Sequence, residues 1–174
     1  LLRNSGFTGD FVTESLDKTY KLGETTEMFS DPLRHWTSSN ASVQASEVGQ
    51  SGKEISLANG TLSQALHDKI IVGENYVLSF RAKGTSFDYS VGGVEGTVAL
   101  EGEWMKYVHK FKTESDVSAF VIKNANAIIC DLQLERGTVQ SAWGYSMWDN
   151  QSELARYQAL AYLESAIKEG STDI

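Results

Sequence analysis

The stretch YVLSFRAK, residues 76–83, decides the fold class of this chain. Its apolar residues alternate with residues of mixed character, the two-residue period of a β-strand that buries one face. One face carries Tyr76, Leu78, Phe80 and Ala82, and the other carries Val77, Ser79, Arg81 and Lys83. The turn signal Gly-Glu-Asn precedes the strand, and Gly84 follows Lys83. We therefore expect a β-strand here with a core side and an outer side.

On both sides of this strand, short apolar runs separated by Gly, Asn, Asp and Ser recur along the first 134 residues. They predict strands at residues 53–57, 61–66, 76–83, 87–91, 96–100, 104–112, 118–122 and 127–134, and a further strand that begins near Trp36. The close spacing and turn chemistry favour a β-sandwich or jelly roll over a parallel sheet with crossover helices.

The composition changes after Asn150, where Ala, Leu, Glu, Lys and Gln become frequent. Ser152 fits a helix N-cap and Gly170 fits a C-terminal stop, so a C-terminal helix is expected between them. Leu160, Leu163 and Ile167 form an apolar stripe along it. We predict a β-sandwich module at 1–137, an exit linker at 138–151, and a helix and tail at 152–174 that lead to further domains of a longer polypeptide.

Charge and motif content limit the classes of function. The net charge of −8 and the lack of a Lys/Arg cluster argue against binding to nucleic acid or to an anionic membrane. The histidines show no metal-ligand spacing, and no nucleophile elbow or phosphate-binding glycine loop is present. Cys130, the only cysteine, stands among apolar residues and is expected to be buried. The chain is therefore predicted not to be an enzyme.

Aromatic and amide residues are the candidates for a binding site. Trp36 and Trp104 are each interpreted as core residues at the start of a strand, and His109 as a core or half-buried residue. A sugar site needs flat aromatic rings together with groups that hydrogen-bond hydroxyls. The suitable residues are Arg81, Lys83, Phe87, Tyr89, Gln64 and Gln133. Whether they share a face is left open by the sequence.

An ordered set of motifs resembles the carbohydrate-binding modules that have a galactose-binding-domain-like jelly roll. The matching residues are Asn4 with Phe7, Gly73 with Tyr76, Leu78, Ser79 and Phe80, Trp104 with Tyr107 and Phe111, and Asp131 with Leu134. The resemblance covers about residues 1–135. It implies a jelly-roll fold and an oligosaccharide or polysaccharide as the partner.

Many members of that family hold a structural calcium ion, and no other cofactor is implied. The family pattern is incomplete here, because Thr8 follows Phe7 and Cys130 precedes Asp131. The residues left for a calcium site are Asp131, Gly52 and Asp10.

The exit sequence LQLERGTVQSAWGYSMWDN, residues 132–150, resembles that of jelly-roll modules in bacteriophage and prophage tail proteins. This resemblance implies a glycan-binding adhesion module located in a virion tail or outside the cell, with Trp143 and Trp148 fastening the exit segment to the sandwich. In an alternative interpretation, Trp148 or Tyr145 is an exposed sugar platform. Two other functions remain open: a ligand-free spacer or trimerisation module of a tail fibre, and an accessory module of a secreted glycoside hydrolase. Tail fibres are commonly trimeric, so a homotrimer through the C-terminal helix is expected.

Overall fold

The computed structural model describes residues 1–8 and 32–144. It contains six strands: β1 Thr37–Ala45, β2 Lys53–Ala65, β3 Asn75–Val91, β4 Val94–Ala99, β5 Met105–Lys112 and β6 Ala119–Arg136. The mainly β class is thus confirmed. The predicted helix, together with Asp10, Tyr145 and Trp148, lies outside the described residues. Within residues 1–8 and 32–144 there is no helix with the length and apolar character needed to cross a membrane.

All strand pairs are antiparallel, and the strands follow one another in the sheet as β1-β2-β6-β3-β4, with β5 paired to β3. The long strand β3 changes neighbours along its length. Its first half lies between β5 and β6, whereas its second half lies between β4 and β6. The two long strands β3 and β6 therefore pair with β2, β4 and β5 between them, and β1 joins the sheet through β2.

Several predicted strand breaks are bulges inside continuous strands. Asn59 and Asn124 have φ values of 48° and 51°, and Gly84 has φ 137°. The pairing register shifts beside each of them. Asparagine tolerates positive φ, and its amide can replace interrupted ladder bonds. Asn126 Oδ1 accepts from the Asn59 amide at 3.0 Å, and Asn40 Nδ2 donates to the Asn59 carbonyl at 3.2 Å. The predicted pairs 53–57 with 61–66, 76–83 with 87–91, and 118–122 with 127–134 are therefore single strands.

The core forms on the face predicted from the alternation in residues 76–83. Tyr76, Leu78, Phe80 and Ala82 are all buried in one cluster. Trp36 joins them as expected, with its ring centroid 5.8 Å from that of Phe7 and 6.3 Å from that of Phe120. The prediction for Trp104 was wrong, because this residue is half-exposed and lies outside the cluster.

The Asn4-x-x-Phe7 motif connects the start of the chain to the core. Asn4 Nδ2 donates to the carbonyls of Pro32 and Arg34, at 2.7 and 2.9 Å. The Trp36 indole N–H donates to the Asn4 carbonyl at 2.8 Å. Phe7 is fully buried beside Trp36. The motif thus has a structural role, since it satisfies backbone groups around a buried tryptophan.

The exit segment, residues 137–144, is fastened to the outer side of β6. The Trp143 indole N–H donates to the Leu132 carbonyl at 3.1 Å, and Gln133 Oε1 accepts from the Gly144 amide at 3.2 Å. The Ser141 amide donates to Glu135 Oε2 at 3.1 Å. The fastening role predicted for Trp143 is therefore confirmed.

Candidate functional site

The outer face of β3 and β5 carries the candidate site, and we call it the β3–β5 face. It consists of Lys83, Arg81 and Ser79 on β3, Lys106 and Val108 on β5, and Trp104 just before β5. The register places Arg81 between Lys106 and Cys130, and Ser79 between Val108 and Gln133. Because the core residues occupy the alternate positions, these side chains point away from the core.

A cleft of about 290 Å³ opens on this face, between the sheet and the exit segment. It is lined by Gln50, Ser79, Phe80, Arg81, Lys106, Asp131, Gln140, Ala142 and Trp143. A bulge in β6 shapes its floor. Two steps along β3, from Ser79 to Arg81, match three along β6, from Gln133 to Cys130. Asp131, in the bulge, has φ 52°, which places its carboxylate in the cleft wall.

The cations of the cleft have no protein partner among residues 1–8 and 32–144. Arg81 is half-buried, Lys106 is exposed, and neither forms a hydrogen bond or an ion pair there. Asp131 is 8% exposed, and its Oδ1 accepts from the Gln50 amide at 2.8 Å. The cleft therefore offers donors from Arg81 and Lys106, amide groups from Gln50 and Gln140, and one half-buried indole, that of Trp143.

Cys130 lies beneath this cleft but is not suited to act as a nucleophile. Burial raises the pKa of its thiol to about 12, with a further upward contribution from Asp131 that Arg81 partly offsets. A thiol with so high a pKa holds its proton near neutral pH, and the thiolate is the reactive form. Cys130 is thus a buried structural residue, as the sequence indicated.

A shallow groove adjoins the cleft on the same face. Lys83 stands two residues from Arg81 on β3, roughly 6.6 Å along the strand. Its Nζ lies 5.2 Å from the ring centroid of Trp104, a cation–π contact. The groove is lined by Ser56, Leu57, Lys83, Gly84, Gly102, Asn126, Ala127 and Ile128. Trp143 lines the cleft, and Trp104 contacts Lys83 of the groove.

The six predicted sugar-binding residues do not form one site. Phe87 is 1% exposed and Tyr89 is 7% exposed, so their rings belong to the core and do not fit a stacking role. Phe87 packs against Phe80 with ring centroids 5.1 Å apart. They were misassigned because the bulge at Gly84 shifts the pairing that relates the two halves of β3.

The two glutamines of that set have structural partners. Gln64 is buried, its Oε1 accepts from the Arg3 amide, and its Nε2 donates to the Arg3 carbonyl, both at 2.8 Å. Gln133 holds the exit segment through Ser141 and Gly144. Only Arg81 and Lys83 of the six lie on the β3–β5 face with available side chains, and their binding role stays a prediction.

Sequence reasoning missed Lys106, Gln50 and the exposed side of Trp104. Lys106 could have been found from its strand, since Lys106, Val108 and Lys110 alternate with Tyr107, His109 and Phe111. That pattern indicates an outer face but does not say which strand lies beside it. Gln50 comes from the β1–β2 connection, whose approach to the cleft depends on contacts distant in the chain.

The predicted calcium site includes the side chain of Asp131 and the Gly52 backbone. Oδ2 of Asp131 is buried and has no hydrogen-bond partner among the described residues. In the same part of the chain, no three His, Cys, Asp or Glu side chains come together as a metal site. The Gly52 carbonyl already accepts from the Ser46 amide at 2.9 Å. Calcium takes six to eight oxygen ligands. Asp10, the third predicted ligand, lies outside the described residues, so the calcium site stays a prediction.

Comparison with known proteins gave structural matches only. No protein-family model and no curated protein matches the chain. A family 6 carbohydrate-binding module of a laminarinase from Zobellia galactanivorans is 13% identical over 57% of this chain and 90% of its own, with a TM-score of 0.46. A second such module, from Cellvibrio mixtus lichenase 5A in complex with cellotriose, is 20% identical over 60% of this chain and 91% of its own (TM-score 0.45).

Another similar structure is the enzymatically active domain of tailspike protein 4 from bacteriophage CBA120. It is 12% identical over 60% of this chain and 20% of its own, with a TM-score of 0.44.

Proposed function

We propose that this chain is a non-catalytic glycan-binding module of the jelly-roll type, and that it binds an oligosaccharide or polysaccharide on the β3–β5 face. The observation that carries the proposal is the cleft between the sheet and the exit segment. It combines two cations that have no partner among the described residues with the half-buried indole of Trp143, and the half-buried indole of Trp104 contacts Lys83 of the neighbouring groove.

The chemistry of a sugar ring supports this assignment. A pyranose presents hydroxyls around its edge and an apolar C–H surface on its face. Arg81, Lys106, Gln50 and Gln140 offer donors and acceptors to the hydroxyls, and the Trp104 ring offers a flat surface to the apolar face. Lys83, which lies over that ring, would have to move or to contact the sugar itself.

A glycan array probed with the chain tests the proposal. We expect Trp104→Ala to reduce binding at least tenfold, because it removes the stacking surface. The matched control is Val117→Ala, which shortens an exposed apolar side chain in the connection between β5 and β6. The proposal fails if the chain binds no glycan on the array, or if Trp104→Ala binds as well as the control.

A role in a bacteriophage or prophage tail, as an adhesion module in a virion tail or outside the cell, is the setting that we propose. Its support is the exit sequence and the network that Trp143, Gln133 and Glu135 make with the exit segment. The same network favours the second candidate, a ligand-free spacer that sets the direction of the next element. A glycoside hydrolase domain beside this module in the full polypeptide would instead favour an accessory role in such an enzyme.

A further inference from the structure

The two cations that line the cleft outnumber its one carboxylate, that of Asp131, whereas the molecule as a whole is acidic. The chain has a net charge of −8, yet Arg81 and Lys106 lie side by side across β3 and β5. Neither cation is neutralised by a carboxylate within 4 Å in the described parts of the chain. Although the chain has 23 acidic residues and 15 basic ones, two neighbouring cations in a concave site thus have no carboxylate partner within residues 1–8 and 32–144.

Two buried carboxylates, Asp131 and Glu54, lie near these cations without forming an ion pair with Arg81. Asp131 and Glu54 are 8% and 7% exposed, and each already accepts a hydrogen bond, from the Gln50 amide and from Gln44 Nε2. Neither forms an ion pair with Arg81. A half-buried guanidinium loses part of its hydration, and partly buried charges are normally compensated by a partner. Arg81 is therefore ready to bind an anion.

We infer that the sugar bound in this cleft carries a carboxylate, as in a uronic acid residue. This inference rests on the proposed function, since it names the class of glycan that the same site takes. The planar guanidinium of Arg81 can hold both carboxylate oxygens, and the ammonium of Lys106 adds a second positive charge beside it. The Gln50 side chain and the amide oxygen of Gln140 remain for the ring hydroxyls, and Trp143 also lines the cleft.

The experiment compares an acidic ligand with its neutral counterpart. Calorimetric titration with trigalacturonate and with its fully methyl-esterified form isolates the carboxylate, because the two differ only in charge and the ester methyls. We expect the acid to bind at least tenfold more tightly than the ester. Raising the salt from about 50 to about 500 mM, which reduces the screening length to less than about half, should weaken the binding of the acid alone.

Substitutions test whether Arg81 and Lys106 are the residues that bind the carboxylate. Arg81→Gln and Lys106→Gln should each weaken trigalacturonate at least tenfold and weaken the ester much less, because the ester loses only hydrogen bonds to its hydroxyls and no ionic contact. Arg136→Gln is the matched control, since it removes the same charge from an exposed arginine that pairs with Glu74 on the surface. Thermal melting of each variant verifies that it folds.

The outcomes separate the two proposals. If the ester, or neutral glycans on the array, bind as tightly as the acid, the carboxylate inference is wrong and the glycan-binding function stands. If a sulfated oligosaccharide binds more tightly than trigalacturonate, and Arg81→Gln abolishes that binding, the anion is a sulfate. The carboxylate inference is wrong in that case too. If no glycan of any kind binds, both proposals fail.

Discussion

At the residue scale, two aromatic side chains illustrate how neighbouring positions acquire different roles. Phe80 is 1% exposed, with its ring stacked on Tyr107 at a centroid distance of 5.2 Å. Trp104 is half-exposed and contacts the Lys83 ammonium. The sequence predicted both to be buried, because a large aromatic residue at a strand is more often buried than exposed. Only the strand pairing reveals which face each one occupies.

These environments predict unequal costs of truncation. Phe80→Ala should lower the free energy of unfolding by about 3–5 kcal/mol, since it leaves a cavity in the core. Trp104→Ala should cost only about 1 kcal/mol, the value of a partly exposed cation–π contact. Urea unfolding followed by circular dichroism measures both. Equal losses would place Trp104 in the core after all.

Cys130 provides a prediction about reactivity and pH. Its pKa is about 12 in the folded chain, against an ordinary value of 9.0, because burial disfavours the thiolate. The protonated thiol thus favours the folded state fully below pH 9, and this contribution is lost as the pH rises towards 12. We expect no reaction with a thiol-specific reagent at pH 8 in the native protein and complete reaction in denaturant. Rapid labelling of the native protein would contradict this burial.

At the element scale, the fold depends on long strands that tolerate bulges. The two-residue alternation within 76–83 was sufficient to predict a strand and its core side. Asn59, Gly84 and Asn124 were read as turns because asparagine and glycine mark both turns and bulges. The difference lies in whether a partner strand continues beyond the break. For the same reason the sequence predicted Arg81 and Lys83 as site residues but not Lys106, which reaches Arg81 only through the pairing of β3 with β5.

The bulge at Gly84 predicts a position-specific effect of alanine. A Cβ at Gly84 would lie 2.5 Å from the Asn126 carbonyl oxygen, and the backbone has φ 137°. Gly84→Ala should therefore destabilise the protein by more than about 1 kcal/mol. Gly102→Ala is the control, because its Cβ would meet no atom within 4 Å. Similar melting temperatures for the two variants would show that β6 moves easily away from β3.

At the scale of the whole molecule, the segment after residue 144 is expected to govern association. An isolated helix of this length is marginal in water, so the predicted stripe of Leu160, Leu163 and Ile167 needs a surface to cover it. By resemblance to tail fibres, that surface is the same stripe in two other copies. Residues 152–174 lie outside the described structure, so this remains a prediction.

Sedimentation at increasing concentration measures that association. We expect a weak monomer–trimer equilibrium, because only about two heptads are present. Leu163→Glu and Ile167→Glu should abolish it without changing the melting temperature. A strict monomer in which those substitutions instead lower the melting temperature would mean that the predicted helix packs on the sheet of its own chain.

The hydrogen bond between the Leu1 nitrogen and the Leu134 carbonyl, 2.9 Å long, has a mechanical consequence. It brings the start of the chain next to the end of β6, where the exit segment leaves. Tension applied between residues 1 and 144 would act on two hydrogen bonds before it reached the sheet. One is this bond, and the other joins the Trp143 indole N–H to the Leu132 carbonyl. The six strands would receive little of that force until these contacts opened. If the module were held at both points, the force would pass between two adjacent sites, and the sheet would stay intact while the terminal segments detach.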